Sequence, residues 1–261
     1  MFTLSSTDLD ALLVLFFFPF VRILAWLGFD PLLGNRAVPM RMRVAMAFVL
    51  TVAIAPILPA APQVALASGE GLLLLLQQIV IGAVLGFSLR IVFAIIEVAG
   101  AFMGMQMGLS FATFFDPING AQTPVVAQFL VLTTTLILFA FNGHHLVIAA
   151  IAQSFVEVPI GAALAVPGFA VVVHWGGAMF ATGLHIALPV TAALLATNLT
   201  IGMMSRAAPQ LNIFAVGFPL TLGAGFVVLY FTLAYLPAQL DRIWLQALEA
   251  GVAAMRGVSG Q

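Results

Sequence analysis

GLSFATFFDPINGAQTP, Gly108 to Pro124, lies between two long apolar runs, and its reading decides how the rest of the chain is understood. Phe111, Phe114 and Phe115 fall within five positions, and the sequence then turns to Asp116-Pro117, Asn119-Gly120 and Thr123-Pro124. Asp116 is the only formal charge between Val98 and Phe141. The prolines and the Asn-Gly pair nevertheless interrupt any continuous helix there, so two helices meet at this break. Irregular backbone in hydrocarbon leaves amide and carbonyl groups without partners, at several kcal/mol each. Such a segment therefore persists only inside protein or beside a watery cavity. Two readings stand at this level: a pore-facing plug, or an ordinary connection at the membrane interface.

The flanking sequence fixes the solvent. Of 261 residues, 63% are hydrophobic and 7% charged, where a soluble domain carries about 25% charged residues. Apolar runs recur at 11–28, 44–61, 72–96, 98–115, 125–141, 169–197 and 211–236, several close to the ~20 residues that cross a bilayer. With a mean hydropathy of +1.20, the expected class is an all-α, polytopic helical membrane protein. A barrel would need short alternating strands, which the sequence lacks. Pro56 and Pro59 close the second run, and Pro189 and Pro219 lie inside the last two, where proline kinks or ends a helix. Leu240, Ile243, Trp244, Ala247, Leu248 and Val252 recur at helical spacing and predict a short amphipathic helix in the tail.

Charge placement constrains topology and chemistry. Arg36, Arg41 and Arg43 crowd the first connection and Arg206 the one before the final run, so both are expected on the cytoplasmic side. The first apolar run follows Asp8 and Asp10 rather than a basic stretch, which argues against a cleaved signal peptide. Arg22, within that run, is expected to snorkel to an interface or to meet an acidic group on another chain. Arg90 and Glu97 share a helical face but stand too far apart for i,i+4 pairing. The chain has no cysteine, and its net charge of −1 gives no nucleic-acid footprint. His144-His145 and His174/His185 do not make a chelating set by themselves. No zinc, nucleophile-elbow or phosphate-loop motif is present, so neither an enzyme nor a cofactor is expected.

The helix entering the break has its own pattern. Gly100, Gly104 and Gly108 recur every fourth residue and predict a bare groove for a neighbouring helix, with Met103, Met105 and Met107 beside it as material for a hydrophobic constriction. In the later corner, Ser205 and Arg206 end one helix, Pro209 begins the next, and Gln210 and Asn212 offer amides for inter-helix hydrogen bonds.

EVAGAFMGMQMGLSFATFFDP (Glu97–Pro117), FNGHHLVI (Phe141–Ile148) and MSRAAPQLNIFAVGFPLTLG (Met204–Gly223) closely resemble the FliR family of flagellar biosynthetic proteins, the export-gate family of type III secretion. The resemblance runs over most of the chain in order and length. It implies a component of the flagellar export gate that forms, with FliP and FliQ and in association with FlhB and FlhA, a gated pore. Unfolded flagellar subunits would pass that pore across the bacterial inner membrane at the flagellar basal body. It further implies FliP-like helices over 1–166, including a plug loop at 108–124, a FliQ-like helical hairpin over 167–238 and the amphipathic tail at 239–261. By the same resemblance Phe111, Phe114, Phe115, Asp116 and Pro117 form the pore plug. Glu97, Gly100, Gly104, Gln106 and Gly108 form its supporting helix, and Arg206, Pro209, Gln210, Asn212 and Pro219 the assembly corner of the hairpin. An injectisome homologue, a secondary transporter built on broken helices and a purely structural scaffold are the alternatives.

Overall fold

A computed structural model describes residues 6–35, 37–58, 64–66, 68–109, 124–162, 168–208, 210 and 213–259. Among them the chain forms seven α-helices, one 3-10 turn and no strand. The helices are α1 (Ser6–Phe29), α2 (Met40–Ile54), α3 (Gly69–Gln106), α4 (Val125–Ala140), α5 (Gly143–Glu157), α6 (Gly168–Ala207) and α7 (Ile213–Ser259). Four segments are long and apolar enough to span a bilayer: Met40–Ile57, Gly69–Gln106, Val173–Ala207 and Ala215–Arg256. A fifth arises if α4 and α5 together make one span, broken at Asn142, which holds a left-handed φ of 55°. The chain is thus an all-α, multi-pass membrane protein.

The helices differ from the apolar runs in ways that have physical causes. The run at 72–96 and the first part of the run at 98–115, as far as Gln106, fuse into α3 because Glu97, which separates them in a hydropathy reading, projects from an exposed helical face and costs the backbone nothing. Pro56 does end α2, giving way to the 3-10 turn Ala55–Ile57. Pro19, Pro189, Pro219 and Pro237 are instead accommodated inside α1, α6 and α7, since each removes one backbone hydrogen bond from a long ladder. The tail at 239–259 is the uninterrupted end of α7. At 1.5 Å per residue α3 is roughly 57 Å long and α7 roughly 70 Å, well beyond a hydrocarbon core of about 30 Å.

The chain divides into two compact units. The first comprises residues 1–91, 141–176 and 244–261. Its apolar core includes Ile23, Trp26, Leu27, Ile81, Leu85, Ile151, Phe155 and Met255. Two glycines one turn apart on α3 let α1 approach to backbone distance: a Cβ on Gly82 would overlap the Arg22 carbonyl oxygen, and one on Gly86 would stand 2.7 Å from that of Trp26. This is the small-xxx-small device of membrane helices.

Arg22 lies fully buried beside that crossing. Its Nε donates to Gln78 Oε1 at 2.7 Å, its Nη1 to the Ser154 carbonyl at 2.8 Å and its Nη2 to the Val158 carbonyl at 2.9 Å. The guanidinium carbon stands 4.2 Å from the Phe155 ring centroid. Arg22 therefore neither snorkels nor meets an acid on another chain; neutral acceptors of its own unit tie α1, α3 and α5 together. Just past α1, Asp30 Oδ1 accepts the amides of Leu32 and Leu33. Burial pushes the Asp30 carboxyl above its ordinary range while the amides pull the other way. Arg43 closes the same connection by donating to the carbonyls of Gly34 and Asn35.

The second unit comprises residues 92–140 and 177–243. The C-terminal part of α3 is its mast. Val92, Ile95, Ile96, Ala99, Met103 and Met107 are all buried, whereas α4, α6 and α7 carry many exposed apolar side chains.

Candidate functional site: the root of the interrupted segment

Phe111, Phe114, Phe115, Asp116 and Pro117 lie outside the described residues, as do Pro209 and Asn212. The structure does describe what holds the segment at its start. The Gly108 amide donates to the Met105 carbonyl at 3.0 Å, and the Leu109 amide reaches five residues back to the Gly104 carbonyl at 3.1 Å. Gly108 itself has φ 80°. These two crossed hydrogen bonds around a left-handed glycine are a Schellman motif, which satisfies the last carbonyls of a helix and turns the chain off its axis. Helix α3 therefore ends at Gln106, ten residues before Asp116-Pro117; its end is set by glycine chemistry at Gly108 and not first by proline.

The three glycines that looked equivalent do different work. A Cβ on Gly100 would overlap the backbone of Ala127, so α3 and α4 touch main chain to main chain there. Gly104 has room, with Val126 side-chain atoms 3.7 Å from where its Cβ would be. Gly108 is the terminator. Helix α6 approaches the same mast through Gly183, whose Cβ would stand 2.9 Å from the Ile95 carbonyl oxygen.

Helix α7 approaches through Gly225, where a Cβ would meet Met107 Cγ at 2.6 Å and its Sδ at 3.1 Å. Met107 is thus seated in a notch of α7 one residue before the chain turns. The methionine pattern is corrected accordingly. Met103 and Met107 are 1% and 0% exposed and serve as packing, while Met105, 52% exposed, is the member of the trio left on the surface. Gln106 is half-buried and Glu97 exposed on the same helix.

At the hairpin corner, Arg206 is exposed in the last turn of α6, where a cation complements the negative end of the helix dipole. Gln210 and Pro219 are also exposed. The rings of His144 and His145 lie 4.2 Å apart between centroids with their planes tilted by 55°, and no cluster of three or more metal-ligating side chains occurs among the described residues. Sequence reasoning passed over Gly82, Gly86, Gly183 and Gly225. The Gly82/Gly86 spacing is a readable signal; the single glycines acquire meaning only from the facing helix.

The described helices, several of them long and apolar enough to cross a bilayer, define a polytopic all-α membrane protein. The chain matches the model of the family described as "Bacterial export proteins, family 1" over residues 13–247. It is 40% identical over 250 residues to the flagellar biosynthetic protein FliR of Pectobacterium carotovorum subsp. carotovorum, covering 95% of each chain. It is 41% identical over 226 residues to FliR of Escherichia coli K12, covering 86% of each. With FliR of Bacillus subtilis strain 168 it shares 32% identity over 220 residues, 82% of this chain and 84% of that one. The chain belongs to the FliR family of bacterial export proteins.

Proposed function

We propose that this chain, by its family a component of the flagellar export apparatus, builds a gated protein-conducting pore with FliP and FliQ in the bacterial inner membrane. In that reading 1–166 act as the FliP-like part and 167–238 as the FliQ-like hairpin. FlhB and FlhA are further partners of the assembly at the flagellar basal body. Phe111, Phe114, Phe115, Asp116 and Pro117 obstruct the conduit until an unfolded flagellar subunit displaces them.

The observation that carries this reading is the anchored root. Met107 sits in the Gly225 notch, Gly100 abuts Ala127, and the Schellman turn at Gly108 redirects the chain. The segment that follows departs one residue after Met107, which is fully buried against α7, and packing against protein is what any non-helical segment at membrane depth requires. A plug hung from a loose connection would leak. One hung from a fixed root can hold a narrow apolar constriction dewetted against ions and still yield to a polypeptide that wets and displaces it. The work of transport is supplied elsewhere in the apparatus.

The test is the conductance of a purified FliP-FliQ-containing gate in planar bilayers. Deleting Phe111 to Phe115 is expected to permit assembly and raise ion leakage. Unchanged conductance in a correctly assembled gate rejects the plug role.

A further inference from the structure

Within the second unit, α6 and α7 enclose an open groove of about 350 Å³ lined by His185, Pro189, Val228, Thr232, Tyr235 and Gln239, among others. Its walls are mostly apolar, and the Thr232 hydroxyl is already spent on the Val228 carbonyl. Its remaining polar side chains are His185 of α6 and, towards the charged end of α7, Tyr235 and Gln239.

That end coincides with a change in the helix. From Ile213 to Leu240 α7 carries no charge, and Asp241-Arg242 then follow. The only two tyrosines of the chain, Tyr230 and Tyr235, come just before that pair, and each is 73% exposed. Uncharged helix, then tyrosine, then charge is the order met on leaving hydrocarbon for the headgroup region. Tyr235, Gln239 and Arg242 stand at i, i+4 and i+7, within one stripe of the helix surface, and Arg242 is exposed. Asp241 lies about 160° around the helix from Gln239, on the opposite side, and does not offset the arginine on that stripe.

The groove thus offers an apolar trough and a hydrogen-bonding collar, and the exposed Arg242 follows about one turn beyond Gln239 on the same stripe of α7. We propose that it is a phospholipid site. An acyl chain fills the trough between α6 and α7, the ester region meets the Tyr235, Gln239 and His185 collar, and the phosphate pairs with Arg242. Charge complementarity selects a lipid over a second apolar helix, which would bury the collar and leave Arg242 without an anion.

The test uses the full chain, purified in mild detergent and freed of native lipid, with retained lipid counted by native mass spectrometry. Probes are phosphatidylglycerol and the diacylglycerol with the same tails but no phosphate. The wild-type chain is expected to hold phosphatidylglycerol more tightly than diacylglycerol. Arg242→Gln should weaken the former about fivefold and leave the latter unchanged, while Val228→Phe, which fills the trough, should weaken both. Arg41→Gln, an exposed arginine of the other unit, should behave as wild type. Arg242→Gln changes an exposed side chain, so it decides the matter even if Val228→Phe misfolds. Retention of phosphatidylglycerol by Arg242→Gln at the wild-type level overturns the proposal. So does a wild-type chain with no preference for it over diacylglycerol, the result expected if the groove receives a helix of another protein.

Discussion

The Leu109 amide donates across 3.1 Å to the carbonyl of Gly104, five residues earlier, and this one bond fixes where α3 stops. Together with the left-handed Gly108, it gives the interrupted segment a defined direction of departure. Everything proposed for that segment depends on its root being rigid.

Gly108→Ala tests the turn directly. A Cβ at φ 80° is strained by about 1–2 kcal/mol, and the strain is relieved if α3 continues into Ser110 and Phe111. The variant is expected to lower thermal stability and to raise ion leakage of the assembled gate, with Gly108→Asn milder because asparagine tolerates the left-handed region. Equal leakage for glycine, asparagine and alanine would detach the turn from gating.

Gly225 and Met107 should be energetically coupled. Gly225→Ala places a methyl against Met107 Cγ and should destabilise by about 1–3 kcal/mol as an overpacked core does. Met107→Ala makes room for it. The double variant is expected to recover at least about 0.5 kcal/mol relative to the sum of the single changes, measured by thermal or denaturant unfolding in detergent. Strict additivity would mean that the notch does not constrain Met107.

The glycines of α3 should respond unequally. Gly100→Ala is expected to cost about 2 kcal/mol or more, because the Ala127 backbone has nowhere to go. Gly104→Ala brings a methyl only into ordinary van der Waals contact with Val126 and should be neutral or stabilise by up to about 1 kcal/mol through helix propensity. Comparing the unfolding midpoints of the two variants checks this, and a reversed order would contradict the packing described for α3 and α4.

Arg22 makes a different kind of contribution. Arg22→Met keeps the bulk but strands the neutral acceptors at Gln78, Ser154 and Val158, and each buried acceptor left unpaired costs about 1–3 kcal/mol. Gln78→Leu removes one partner and should cost about 1–3 kcal/mol. Since all these groups lie in the first unit, the loss should appear as reduced stability and yield. A shift in conductance with unchanged stability would point instead to a role for Arg22 in the conduit.

What was legible in the sequence follows from the range of the forces involved. Solvent class and the helical architecture rest on composition and on runs of apolar residues, which local sequence carries in full. That α3 and α4 are separate helices was legible from the proline and Asn-Gly of the intervening sequence, although those residues themselves lie outside the described ones. The position of the helix end was not, because Gly100, Gly104 and Gly108 carry the same spacing, and only the facing atoms and the backbone angle of Gly108 separate close approach, ordinary contact and terminator. Met103 and Met107 were misassigned as constriction material for a related reason: a methionine's neighbours decide whether it lines a surface or fills a core. Arg22 shows the same limit, since its acceptors lie 56 to 136 residues away. The family motifs supplied the plug and corner assignments, which local physics alone had left between two readings.

The absence of cysteine permits the most direct measurement, a single spin label placed at Phe114→Cys in the assembled gate, with Leu132→Cys on the exposed face of α4 as a reference. Collision with oxygen, which concentrates in lipid, is expected to be low at position 114 and high at 132 if the segment rooted at Gly108 acts as the proposed plug. Oxygen accessibility at 114 equal to that at 132 would place the ring among acyl chains and contradict its role as a plug.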